Sequence, residues 1–144
     1  MTAFISGASG GIGSEIAKQF AAAGANLALC GRCSIKLSKI ETATRKFGTN
    51  VETFIADFEK DDEAISVALS VLQSMGGVDI LVNNAGLAIH NPILEIKLAH
   101  WDQIQRINVV APLLLAQAFI PGMIKRGRGK IINITSRAAN RGHH

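Results

Sequence analysis

Short apolar runs alternate with segments of helical periodicity along the chain, and each run ends in glycine or a polar residue. The runs cover residues 2–6, 26–30, 51–56, 80–83 and 130–135. Runs this short that stay apolar at odd and even positions predict strands covered on both faces. Strands separated by helices join through right-handed crossovers and therefore lie parallel. The first helix is predicted over 14–23, with Ile16, Ala17 and Phe20 on one face and Gly24 ending it. The second is predicted over 34–47, with Leu37 and Ile40 inward. Asp61 or Asp62 is expected to cap a third helix carrying Ile65, Leu69 and Leu72. A long helix is predicted over 100–126, with a break at Pro121. The predicted fold class is α/β, a Rossmann-type three-layer sandwich. Its parallel sheet has strand order 3-2-1-4-5, in one domain over residues 1–144.

Composition agrees with that layout. Hydrophobic residues make up 48% of the 144 residues, enough for one compact core. The net charge is +4, and the one basic cluster is Lys125, Arg126, Arg128 and Lys130. It reads as a solvated loop before a strand. With one Trp and six Phe, the chain lacks aromatics interleaved with basic residues, so a nucleic-acid partner is not expected. Two cysteines exclude a disulfide framework. Cys30 and Cys33 have Cys-x-x-Cys spacing but lack the further ligands a structural zinc needs, so no metal site is expected. Nothing at the start reads as a signal peptide. The longest apolar stretch, 109–124, is interrupted by Pro112, Gln117 and Pro121, so no membrane span is expected. These features predict a cytoplasmic or organelle-matrix protein.

The strand ends carry the candidate site, because open parallel sheets bind ligands at their carboxyl edge. The first strand runs into Ser6-Gly7-Ala8-Ser9-Gly10-Gly11-Ile12-Gly13 and then a helix. Glycines allow a tight turn and close backbone approach to a pyrophosphate, and the helix start offers free N–H groups. No Lys follows at the spacing of a P-loop. Strand two ends in Cys30-Gly31-Arg32-Cys33, with no carboxylate to hold the ribose 2′-hydroxyl of NAD. Arg32 is instead suited to a 2′-phosphate, so NADP(H) is favoured over NAD(H). Asp57, Asn83-Asn84-Ala85-Gly86 and Ser136 stand at the other strand ends. A binder of an adenosyl cofactor would share the glycine loop. The Asn-Asn-Ala-Gly run and the helix bearing Trp101 and Asn108 argue against it.

Those motifs, in this order over nearly all of the chain, resemble the short-chain dehydrogenase/reductase family. The stretches Trp101-Asp102-Gln103-Ile104-Gln105-Arg106-Ile107-Asn108-Val109 and Gly129-Lys130-Ile131-Ile132-Asn133-Ile134-Thr135-Ser136 look like its central helix and active-serine strand. The resemblance implies that Gly7, Ser9, Gly11, Ile12 and Gly13 surround the pyrophosphate. It implies that Asp57 accepts a hydrogen bond from the adenine amino group, beside the Phe58 backbone. Asn83, Asn84, Ala85 and Gly86 would pass the adenosine ribose and steady the central sheet. Asn108 would position a water in a proton relay, and Ser136 would hydrogen-bond the substrate. The family's acid/base is the tyrosine of a downstream Tyr-x-x-x-Lys pair, in which the lysine cation favours the phenolate. This sequence contains no tyrosine, and His143 and His144 are not expected to replace it. The expectation is a partial chain of an NADP(H)-dependent oxidoreductase acting on a small-molecule carbonyl or alcohol, homo-oligomeric when full-length. Its last strand would be an exposed apolar edge. The alternative is a nucleotide-binding or interaction fragment without redox chemistry.

Overall fold

The computed structural model describes residues 1–60 and 62–136. Its strands are β1 (Thr2–Ile5), β2 (Asn26–Gly31), β3 (Val51–Ile55), β4 (Ile80–Asn83) and β5 (Lys130–Asn133). They form one parallel sheet in the order β3-β2-β1-β4-β5, as expected. Helices α1 (Gly11–Ala22) and α2 (Ser34–Arg45) cover one face. Helix α3 (Glu63–Met75) and a long helix cover the other. The long helix begins as α4 (Leu98–Gln105), widens into a π segment over Arg106–Val110 and continues as α5 (Ala111–Lys125).

Side chains alternate across the sheet with the period of two that a strand imposes. Ala3, Ile5, Leu27, Leu29, Ile80 and Val82 face α1 and α2. Phe4, Ala28, Cys30 and Leu81 face α3 and α5. Both sets are buried, which is why the strands read as apolar throughout. Phe4 meets Phe119 of α5 with ring centroids 5.3 Å apart.

Several helix details differ from expectation. Helix α1 starts at Gly11 rather than residue 14, and its buried stripe is Gly13, Ala17 and Ala21, with Ile16 and Phe20 half-buried. Helix α3 buries Ala64, Val67, Ala68 and Val71, while Ile65 and Leu69 are 44% and 59% exposed. Small side chains sit where these helices lie closest to the sheet, so the large residues mark the flank rather than the seam. Asp62 stands at the start of α3 without a side-chain capping bond, and Asp61 lies outside the described residues.

The long helix is not broken at Pro121. A proline forfeits the bond to the carbonyl four residues back and crowds it. For Pro112 that carbonyl belongs to Asn108, inside the π segment, whose wider turn accommodates the ring. The continuous run Leu98–Lys125 is long and apolar enough, by length and composition, to cross a bilayer, so the prolines do not shorten it as expected. In this fold its stripe Ile107, Ala111, Leu115, Phe119 and Met123 is buried against the sheet. Strand β5 pairs with β4, and its residues are exposed, Ile131 at 41% and Ile132 at 38%.

The basic cluster does more than solvate a loop. Arg126 Nε lies 3.2 Å from Asp79 Oδ1, its Nη2 donates to the Val78 carbonyl at 2.6 Å, and Arg128 Nε lies 3.7 Å from Asp79 Oδ1. Thr2 N–H donates to Asp79 Oδ2 at 3.0 Å. Asp79 therefore ties the start of β1 to the turn before β5. Its burial pushes the carboxyl pKa up, but the Thr2 N–H, Arg128, Arg126 and the N-terminal amine outweigh it and hold the pKa below the ordinary value. A depressed folded-state pKa gives stability that is present above the unfolded value, about 3.9, and lost as pH falls through the folded value. Thermal melts of Asp79→Asn should show a loss of about 2 kcal/mol at neutral pH and a shallower decline under acid than wild type. Parallel acid profiles for the two proteins would remove Asp79 from this role.

Candidate nucleotide-binding site

The carboxyl ends of β1 to β4 meet around a cleft of about 460 Å³. Its first wall is the glycine loop. Gly7 has φ +63°, a left-handed conformation, and a Cβ there would lie 2.9 Å from Ala85 Cα. A Cβ on Gly13 would press on the Gly7 carbonyl and lie 2.6 Å from Asn84 Nδ2. These glycines therefore let the β1 loop pack backbone to backbone against the segment after β4. Gly11 is different: a Cβ there would meet nothing within 4 Å, and the residue lines the cleft. The first turn of α1 carries no acidic side chain, so its N–H groups and positive dipole remain available to an anion.

Ser6 holds the opposite wall in register. Its Oγ donates to the Val82 carbonyl at 3.3 Å and accepts the N–H groups of Asn84 at 3.0 Å and Ala85 at 2.9 Å. Asn84 Nδ2 returns hydrogen bonds to the carbonyls of Ser6 and Gly7. Asn83, buried on β4, donates to Asn133 Oδ1 on β5 at 2.9 Å, while its own Oδ1 has no partner.

At the end of β2, Gly31 makes room for Ser9, whose Oγ lies 3.0 Å from where a Cβ would stand. Arg32 follows, its side chain 64% exposed, with Nη1 3.2 Å from Glu59 Oε1 and 4.0 Å from Asp57 Oδ1. Asp57 Oδ1 accepts the Glu59 N–H, and the Asp57 N–H donates to Glu63 Oε2 at 2.5 Å. Lys60, together with that Asp57 N–H, holds the Glu63 carboxyl below the usual range. Cys30 is buried, and burial, with Glu63 nearby, pushes its thiol up to about 12, so it is not a reactive thiolate. Among the described residues no cluster of His, Cys, Asp or Glu could hold a metal ion.

The cleft brings together Gly7, Ser9, Gly11, Ile12, Gly13, Arg32, Asp57, Phe58, Asn84, Ala85 and Gly86, whereas Asn83 is buried on β4 and does not line it. Asn108 and Ser136 do not line it. Asn108 flanks it in the π segment, where its amide is fully engaged with one residue. Its Oδ1 accepts the Leu87 N–H at 2.8 Å and its Nδ2 donates to the Leu87 carbonyl at 2.9 Å. Asn108 is exposed rather than buried. Ser136 stands past β5 on the carboxyl side of the sheet, and residues 137–144, with His143 and His144, lie outside the described residues. The sequence reading missed Lys36, Leu87 and Ile107 as lining residues and Glu59 as the partner of Arg32. Only Lys36 left a signal, a cation four residues after Arg32 on a helix start.

A protein-family model described as short chain dehydrogenase matches residues 1–144. Gluconate 5-dehydrogenase of Gluconobacter oxydans is 37% identical over 134 residues, 93% of this chain and 52% of that protein. Nodulation protein G of Rhizobium sp. is also 37% identical over 134 residues, 54% of its length. The chain thus spans about half the length of the curated relatives it matches. A metagenomic short-chain oxidoreductase solved in complex with NADP superposes with a TM-score of 0.93 and 38% identity, covering 99% of this chain and 65% of that one. L-Sorbose reductase of Gluconobacter frateurii, complexed with NADPH and L-sorbose, gives 0.88 and 38%, covering 92% and 51%. NAD⁺-bound xylitol dehydrogenase gives 0.90 at 27% identity, covering 99% and 55%. With the family model matched end to end, the chain belongs to the short-chain dehydrogenase family.

Proposed function

We propose that the chain is the nucleotide-binding part of an NADP(H)-dependent oxidoreductase acting on a carbonyl/alcohol pair. The observation that carries the cofactor choice is Arg32 on the cleft beside Gly31, at a strand end that supplies no carboxylate of its own. Structural neighbours hold either NADP(H) or NAD⁺, so the residue rather than the neighbours selects. The site fits a dinucleotide: space over Gly11, free N–H groups at the start of α1, and a cation at the far end. When bound, the nicotinamide supplies or accepts the hydride.

The chain's own residues bind and orient. The glycine loop and the α1 N-terminus receive the pyrophosphate, Asp57 the adenine amino group, and Arg32 the 2′-phosphate. Asn108 is a positioning residue. Its amide fixes the Leu87 backbone beside the cleft. A relay water would donate a hydrogen bond to the Asn108 carbonyl, which Pro112 leaves without an α-helical donor. Ser136 holds the substrate oxygen by hydrogen bonding. The exposed Leu98, Trp101 and Leu113 of α4 and α5 suit burial against a second subunit in a full-length form.

Arg32→Ala should weaken NADPH binding about tenfold in a fluorescence titration, with NADH unchanged, because a charged hydrogen bond contributes about 1.5 kcal/mol. Equal losses for the two cofactors would overturn the assignment. A second reading, binding without turnover, is favoured for these 144 residues by the lack of any tyrosine. NADPH oxidation against a panel of ketones and aldehydes separates the two: turnover by the 144-residue chain alone removes the second reading.

A further inference from the structure

Arg32 is not a spare cation. Its Nη1 faces Glu59 at 3.2 Å and Asp57 at 4.0 Å, so one positive charge stands against two negative ones. Arg32 and its two carboxylates, taken by themselves, are net negative. A phosphate monoester carries nearly two negative charges at neutral pH, more than a guanidinium shared with two carboxylates balances by itself. Lys36 lines the same cleft from the first turn of α2. Among the described residues it has no carboxylate within ion-pair distance. The first turn of α2 carries no acidic side chain, so the helix dipole adds to the charge of Lys36.

We propose that Lys36 is the second residue, beside Arg32, that sets selection of a 2′-phosphate at this site, and that Glu59 opposes it by occupying Arg32. The proposal rests on the NADP(H) reading above and names the charges that implement it. Lys36 brings the corner to neutrality. Release of Arg32 from Glu59 then provides the second contact. Removing Lys36 should cost selectivity, and removing the Glu59 charge should increase it. Both side chains are at least partly exposed, so screening by salt should shrink each effect.

The test is calorimetric titration of the chain with adenosine 2′,5′-bisphosphate and with 5′-AMP, probes that need no nicotinamide site. Lys36→Gln should weaken the bisphosphate about tenfold and change 5′-AMP by less than about twofold, the scale of one lost charge-assisted contact. Glu59→Gln should tighten the bisphosphate about threefold and leave 5′-AMP unchanged. Lys36 is on the surface, and circular dichroism verifies that its variant folds. If the wild-type chain prefers the bisphosphate and Arg32→Ala abolishes the preference while Lys36→Gln keeps it, the proposal falls and the NADP(H) reading stands. If the wild type binds neither probe, or both equally, the two fall together.

Discussion

Gly13→Ala is expected to abolish cofactor binding and strip much of the domain's stability, whereas Gly11→Ala weakens binding alone. The two glycines lie two positions apart in the first turn of α1, but their surroundings differ. A methyl group on Gly13 would press on the Gly7 carbonyl, Asn84 Nδ2 and Ala8 Cα. Two of those three are backbone atoms, and Asn84 is itself held by the carbonyls of Ser6 and Gly7. Overpacking costs about 1–3 kcal/mol where neighbours can move, and here they cannot move without unseating the β1 loop from the segment after β4. The upper end of that range lowers the melting temperature of a domain this size by roughly 10 °C. A methyl group on Gly11 meets no protein atom within 4 Å, and at this first position of α1 alanine leaves the unfolded chain less entropy to lose than glycine does. The melt of Gly11→Ala should therefore match or exceed that of wild type. The added methyl nonetheless occupies the space over the α1 N-terminus, so NADPH affinity should fall at least about tenfold. Melts and NADPH titrations on the two variants decide. A wild-type melt for Gly13→Ala would show that the backbone contact is dispensable. Full affinity in Gly11→Ala would mean that the pyrophosphate does not pass there.

The parts legible in the sequence are those whose chemistry is local. Both sheet faces are covered, so each strand is an uninterrupted apolar run. Each strand end must then turn at a ligand edge, so glycine and polar residues collect there. Helix faces were less legible because periodicity is read from large side chains, while α3 seats Ala64 and Ala68 against the sheet and leaves Ile65 and Leu69 outside. The π segment was hidden for another reason. Pro112 and Pro121 look alike in sequence, but only the first coincides with a widened turn, and tertiary packing of α5 on Phe4 and Leu81 keeps the helix whole. In the cleft, the glycines were legible because backbone approach demands that residue type. Glu59 was not, because its meeting with Arg32 spans 27 residues and arises from the pairing of β2 with β3. Asn108 was legible as a residue but not in its work, since only the fold shows that both ends of its amide are spent on Leu87.

Ser6 is the residue whose sequence position least announces its weight, and Ser6→Ala should cost about 2–4 kcal/mol. The side chain is 2% exposed, and serine and alanine differ little in volume, so no cavity term enters. The loss is of hydrogen bonds. Without Oγ, the N–H groups of Asn84 and Ala85 lose the acceptor they share. Leaving one buried donor unpaired costs about 1–3 kcal/mol, and two donors share the loss here. Chemical denaturation should show a lower midpoint at unchanged slope. Affinity for NADPH should fall as well, because Asn84, Ala85 and Gly86 form one wall of the cleft and Ser6 sets their distance from Gly7. Asn84→Ala removes the reciprocal pair of bonds, from its Nδ2 to the carbonyls of Ser6 and Gly7. The two substitutions open the same clamp from opposite sides, so the double variant should lose less stability than the sum of the singles, by at least about 0.5 kcal/mol. Strict additivity would mean that the two sets of bonds act separately. It would also mean that the loop after β4 is held against β1 by the glycine contacts alone.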